Sequence, residues 1–244
     1  IGSRAHAAML FEIGLLSEDE WNRVEEELNA LLDLIAKGEF VIEEGFEDVH
    51  SKVEYLLTQK LGDTGKKIHT ARSRNDQVLV DVHLYLKEEL GEIKKQVGAL
   101  FDRLMALAEK HKGVLMPGYT HFQVAMPSSF GLWFSAYAES LIDDVYMLHA
   151  ALKVTDQNPL GSAAGYGSSF PIDREHTTKT LGFADLKYNS VAAQMSRGKT
   201  EKTVAFALSS VAATLSRFAM DICLYMSQNF GFVSFPCELI TGSR

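Results

Sequence analysis

Apolar residues recur every three or four positions through most of this 244-residue chain, and strict alternation is rare. Leu79, Val82, Leu86, Leu90, Ile93, Val97, Leu100, Leu104 and Leu107 hold that spacing from about residue 75 to 112, the period of one helix face. One helix of that span is on the order of 55 Å long, and so long a stripe calls for bundle or coiled-coil packing. Phe134, Tyr137, Leu141, Val145, Leu148 and Leu152 form a second stripe, after a helix start at Pro127-Ser128-Ser129. Val204, Leu208, Val211, Leu215, Phe218, Ile222 and Tyr225 form a third.

Shorter helices are predicted before these. Ser17-Glu18-Asp19-Glu20 has the S-x-x-E form of a capping box. Trp21, Val24, Leu28, Leu31 and Ile35 follow at helical spacing, with Gly38 as a stop. A second helix is expected over 47–61, ended by Gly62 and Gly65, and a short one near 173–181. Strands should be scarce. The fold class is therefore mainly α. A small helical N-terminal region, 1–73, precedes the long helices of a central bundle, 74–244, and both ends read as incomplete.

Three polar or glycine-rich stretches interrupt the pattern. His69-Thr70-Ala71-Arg72-Ser73-Arg74-Asn75-Asp76-Gln77 stands just before the first long stripe. Free N–H groups and the dipole at a helix N-terminus favour an anion there. The stretch reads either as a carboxylate or phosphate cradle or as a solvated helix cap. Residues 116–123, carrying Thr120 and His121, read as a loop; His121 is either a general acid or base or surface structure. Residues 158–169, rich in Gly and Ser, are either a linker or backbone that closely approaches a ligand. Asp143-Asp144 reads as a solvated helix face.

Composition narrows the classes. The net charge of −8 argues against nucleic-acid binding, although Lys66, Lys67, Arg72 and Arg74 gather locally. Cys223 and Cys237 are the two cysteines. They form no CxxC pair, which suits a reducing cytoplasm and offers no thiolate metal site. The eight histidines show no metal-ligand spacing. No membrane span is expected, because the most apolar region, 204–226, contains Arg217 and Asp221. The apolar run near the N-terminus is interrupted by Glu12, so no signal peptide is expected.

In order along the chain stand TARSRNDQV at Thr70–Val78, GYTHFQ at Gly118–Gln123, NPLGS at Asn158–Ser162, PIDRE at Pro171–Glu175, FGF at Phe230–Phe232, and Thr241-Gly242-Ser243. This set resembles the argininosuccinate lyases of the fumarase/aspartase superfamily, along the whole chain. The resemblance implies that Asn75 binds substrate, flanked by Ser73 and Arg74, with Thr120 and His50 as further substrate contacts. It implies His121 and Ser243 as the catalytic pair, and it leaves open which of them is the base. There are departures. Arg244 stands where the family has a second Ser, Met126 replaces a Gln, and Ser196-Arg197-Gly198-Lys199 replaces an acidic segment.

The implied reaction is reversible β-elimination of argininosuccinate to arginine and fumarate, without metal or organic cofactor. The family resemblance also implies a cytoplasmic homotetramer with active sites shared between subunits. The 244 residues alone are expected to be inactive. Two other readings are a non-catalytic relative of the δ-crystallin type and a sister lyase with another amine leaving group.

Overall fold

Ser17 ends one helix–helix connection and starts the next helix in the manner its sequence predicts. Its hydroxyl accepts from the Glu20 N–H, and the Glu20 carboxylate accepts from the Ser17 N–H at 2.9 Å, so two orphan donors are satisfied reciprocally. The computed structural model describes residues 1–239. In chain order its elements are α1 (Gly2–Glu12), α2 (Glu18–Ala36), α3 (Val49–Leu61), α4 (Asp63–Lys67), α5 (Arg74–Lys110), β1 (Leu115–Thr120), β2 (Gln123–Ser129), α6 (Phe130–Thr155), β3 (Gln157–Asn158), α7 (Arg174–Thr180), β4 (Asp185–Leu186), α8 (Ser190–Met195) and α9 (Lys199–Met226). The protein is mainly helical, and the three long stripes are α5, α6 and α9.

The chain divides into two compact units. One comprises Ile1–Lys87 with Lys153–Glu201; the other comprises Glu88–Leu152 with the chain from Lys202 onward. In the first unit, Met9 and Leu10 of α1, Val24 and Leu28 of α2, Leu57 of α3, and Ile68 form one buried cluster. Each such side chain contributes about 1.5–3 kcal/mol by leaving water. A smaller cluster joins Val80, Leu160 and Phe183. Gly65 lets α4 fold back onto α3, since a Cβ there would lie 2.4 Å from the Leu57 carbonyl oxygen. Gly65→Ala is accordingly expected to cost about 1–3 kcal/mol through overpacking. A urea midpoint equal to that of the native chain would show instead that α4 shifts freely.

In the second unit the buried leucines and valines of the helices recur at sevens: Leu90, Val97 and Leu104 on α5, Leu141 and Leu148 on α6, Val204 and Val211 on α9. This is the spacing of a coiled-coil seam. Met105, Ile142, Tyr146, Phe206 and Met220 on the same helices are exposed. By length and composition alone, α9 is long and apolar enough to cross a membrane. The mean hydropathy of its most apolar stretch is 1.3, yet only 17% of that stretch is buried. Asp221, on this helix, accepts from Trp133 Nε1 at 3.0 Å and from the Tyr137 hydroxyl at 2.6 Å. Asp144, expected on a solvated face, is instead buried and takes a 2.5 Å hydrogen bond from the Ser210 hydroxyl.

The predicted loop at 116–123 is a hairpin, β1 against β2, with Thr120 opposite Gln123. Pro117 and Gly118 read as loop signals, but both are compatible with a ladder. Pro117 faces Pro127, and two residues without N–H groups can be opposed only at a non-hydrogen-bonded pair. A Cβ on Gly118 would lie 3.0 Å from the Met126 carbonyl oxygen.

Candidate functional site

The residues singled out in the sequence lie in both units. Ser73, Arg74, Asn75 and His50 belong to the first, Thr120 and His121 to the second, and Ser243 lies outside the described residues. The polar stretch does end in a helix N-terminus. The Ser73 hydroxyl accepts from the Asn75 N–H at 3.3 Å, and the Ser73 N–H donates to Asp76 Oδ1 at 2.9 Å. The first helical bond of α5 runs from the Gln77 N–H to the Ser73 carbonyl at 3.2 Å. Ser73 is therefore the cap residue, and Asp76 supplies the returning half of a capping box.

Asp76 does more than cap. It is fully buried, and its second oxygen accepts from the Gly161 N–H at 2.9 Å and the Ala163 N–H at 3.1 Å. One carboxylate thus fastens the 158–165 loop to the start of α5. Burial pushes its carboxyl above the usual range, opposed by the three backbone N–H groups and by Arg72. The loop is held elsewhere too. Asn158 donates to Thr177 and Thr178 Oγ1, and Arg174 donates through Nε to the Leu160 carbonyl and through Nη2 to that of Lys187. Gln194 Nε2 donates to the Ser162 hydroxyl at 2.8 Å. Such dense hydrogen bonding is built structure rather than slack linker.

The two arginines have different partners. Arg72 is buried and donates to the Ser3 hydroxyl at 3.0 Å. With the Gln77 amide oxygen turned toward it, Arg72 also donates there from Nη2 at 2.7 Å and Nε at 2.8 Å. Burial lowers its guanidinium to about 10, with Asp76 pulling the other way. Ala71, just before it, has φ of 58°, an uncommon conformation for a residue with a Cβ. Arg74 pairs with Asp48, the N-cap of α3, and reaches the Ser51 hydroxyl at 3.3 Å. Burial alone would raise the Asp48 carboxyl, but the Ser51 N–H and Arg74 hold it below the usual range. Arg74 Nε is buried without a partner among the described residues.

The arginine pairing draws α3 to the cap, and α3 carries His50. His50 Nε2 lies 3.2 Å from Asp81 Oδ2. Both line a cavity of about 110 Å³ whose other walls include Ser3, Arg4, Leu28 and Leu31. Asn75 is exposed, and its side-chain amide has no partner among the described residues. Asn75 therefore offers a free neutral donor at a helix N-terminus, next to Arg74 and two residues from Ser73 along the chain. This arrangement suits a carboxylate.

In the second unit, Thr120 and His121 are exposed at the hairpin tip. His121 and Phe122 have φ of 52° and 60°. Positive φ at both central residues marks the I′ class of two-residue turn, which favours Asn and Gly. For residues with larger side chains it stores about 1–3 kcal/mol each, and such strain clusters at working sites. No burial of the tip offsets it, because Phe122 is 75% exposed.

Sequence reasoning passed over His6, His83 and Asp48. Asp48 had a readable signal, an Asp directly before an amphipathic run. His6 and His83 had none. The Thr70 carbonyl can only accept, so His6 Nε2 carries the proton that it donates at 2.9 Å. Likewise His83 Nδ1 donates to the Thr155 carbonyl at 2.8 Å, leaving Nε2 to accept from the Thr200 hydroxyl at 3.4 Å. Burial lowers both imidazoles, His6 to about 3. They are neutral bracing groups. Among the described residues, no cluster of His, Cys, Asp and Glu could hold a metal ion.

A family model for lyases (Lyase_1) matches residues 1–243. The chain is 60% identical over 243 residues to the argininosuccinate lyase of Phocaeicola vulgatus and 57% identical to that of Parabacteroides distasonis. In both cases the match covers 100% of this chain and 54% of the relative. The chain therefore spans about half the length of the curated relatives it matches. Among solved structures, an EDDS lyase variant with bound fumarate superimposes with a TM-score of 0.86 at 26% identity, over 94% of this chain and 45% of that one. A fumarate lyase:delta crystallin from Brucella melitensis, bound to cobalt, gives a TM-score of 0.79 over 93% and 55%. At 19% identity, that second likeness concerns the fold alone.

Proposed function

The chain belongs to the lyase family, and from that membership we propose that it serves as an argininosuccinate lyase, cleaving argininosuccinate reversibly to arginine and fumarate. The observation that carries this reading is the 57–60% identity, along all of the chain, to proteins of that name. The placement of the two polar motifs supports it: one caps a long helix with free neutral donors, and the other sits on a strained hairpin tip.

In the proposed reaction a base removes a proton from the carbon next to one succinyl carboxylate. The electron pair left behind is delocalised into that carboxylate, then forms the carbon–carbon double bond as the C–N bond breaks. The departing guanidino nitrogen takes a proton. Charge grows on the carboxylate oxygens, so pre-aimed donors there lower the barrier. Asn75, Ser73 and Thr120 are suited to that task. Arg74 adds positive charge, attenuated by Asp48, and His50, two residues after Asp48 on α3, is oriented by Asp81. His121 and Ser243 are assigned the two proton transfers. No step requires a metal or organic cofactor.

Apolar side chains left exposed on α5, α6 and α9, such as Met105, Ile142, Phe206 and Met220, support assembly into a homotetramer through those helices.

The test follows fumarate release by ultraviolet absorbance in the full-length protein. Turnover of argininosuccinate is expected, with Asn75→Leu and His121→Asn each lowering kcat/KM by about 10²–10⁴-fold. The 244-residue chain alone should turn over little. Release of fumarate from adenylosuccinate or another substituted aspartate, but not from argininosuccinate, would replace this reading with a sister lyase. Absence of any release would replace it with a structural role.

A further inference from the structure

Phe122 and His121 at the hairpin tip are exposed, yet they hold a backbone conformation that neither side chain prefers. The support comes from the residue before the tip motif. The Tyr119 ring meets that of Phe230 edge-on, with centroids 5.3 Å apart at 79°, and that of Phe232 at 6.4 Å. Phe230 and Phe232 touch each other at 5.5 Å, and Tyr225 contacts both. Tyr225 lies 5.2 Å from Trp133, whose indole N–H is held by Asp221. An unbroken set of rings thus runs from a fixed carboxylate on α9 to the base of the tip.

The segment that supplies these rings is itself pinned. Gly231 has φ of 60°, and its N–H donates to the Ser227 carbonyl at 2.8 Å, while the Phe232 N–H donates to the Tyr225 carbonyl at 2.8 Å. This tight turn presents both phenylalanines to Tyr119. Edge-to-face ring contacts depend on geometry in a way that aliphatic packing does not.

We propose that Phe230 and Phe232 are positioning residues: by clamping Tyr119 they hold Thr120 in place and the His121–Phe122 tip in its left-handed backbone conformation. The inference rests on the reading that His121 transfers a proton. A displacement of about 1 Å at such a group costs on the order of 10²-fold in rate.

The experiment compares Phe230→Leu, Phe232→Leu and the ring-keeping Phe230→Tyr in the full-length protein. The leucine variants are expected to lose about 10–100-fold in kcat, with KM rising by a smaller factor, since Thr120 moves with the tip while Asn75 and Ser73 are untouched. Phe230→Tyr should restore most of the rate. Amide hydrogen exchange supplies a readout independent of activity. Residues 115–129 should exchange faster in the leucine variants, while amides in the middle of α5 keep native protection. Should either leucine variant fail to fold, Tyr119→Leu removes the hairpin side of the same contact.

Unchanged kcat, no rescue by tyrosine, or exchange that rises everywhere or nowhere would overturn the clamp. A native protein that releases no fumarate overturns the functional reading instead, and the exchange comparison still decides the clamp.

Discussion

Asp76→Ala is expected to destabilise the first unit by about 3–5 kcal/mol, through orphaned backbone donors and a less favourable field on a buried cation. The carboxylate is fully buried and accepts from the Ser73, Gly161 and Ala163 N–H groups. Alanine would leave those three donors without acceptors, and each unsatisfied buried donor costs about 1–3 kcal/mol. It would also remove the opposing charge that acts most strongly on the buried Arg72 guanidinium. Relaxation and water entry recover part of that sum, hence the lower total. Asp76→Asn keeps one carbonyl acceptor and should fall between. Urea unfolding of the full-length protein measures the loss, and exchange at Gly161 and Ala163 should locate it. A change below about 1 kcal/mol would show that the 158–165 loop is held by Asn158 and Arg174 alone. Asn75→Leu, one residue earlier, should leave stability within about 0.5 kcal/mol because the side chain is exposed.

Acid should weaken the fold through His6. Its imidazole is held at about 3, against an ordinary value of 6.5, chiefly because burial disfavours the charged ring. Below pH 6.5 the unfolded chain takes up a proton that the folded chain refuses, so the equilibrium moves toward unfolding. The contribution of this group is complete above pH 6.5 and declines until the folded value near 3 is reached. Its limiting size is about 5 kcal/mol, of which about 3 kcal/mol is lost between roughly pH 7 and pH 4. His83 is also lowered by burial and acts in the same direction, so the native chain should be steeper than His6 alone requires. His6→Gln keeps a donor for the Thr70 carbonyl and removes the titration. Urea unfolding at the two pH values should show the variant losing about 3 kcal/mol less than the native protein. Equal losses would mean that His6 becomes solvated before the unit unfolds.

The helices were legible because their signals are local. The capping box at Ser17–Glu20 and the stripes behind α5, α6 and α9 each lie within one element. The hairpin was not, because Pro117 and Gly118 break a strand unless the facing residue accommodates them, and the facing residues follow the turn. Asp144 shows the same limit. A carboxylate on a helix reads as solvated until Ser210, on another helix, is placed beside it. Of the site, the polar stretch was recognisable as a helix start, and Arg72 and Asp76 turn inward as braces. The pairing of Arg74 with Asp48 joins residues from separate helices, which no spacing rule connects. His6 and His83 carried no signal at all, since their roles depend on carbonyls of Thr70 and Thr155, and every residue has a carbonyl.

The backbone of His121 and Phe122 also bears on how this protein can change. The pair that best suits their turn is Asn-Gly. Selection for durability alone would drift toward that pair, because relaxing strain is among the easiest routes to a hardier protein. The same drift would erase the imidazole. A long-lived descendant with an intact bundle and a comfortable hairpin would have left chemistry behind, and what persisted would be a building material.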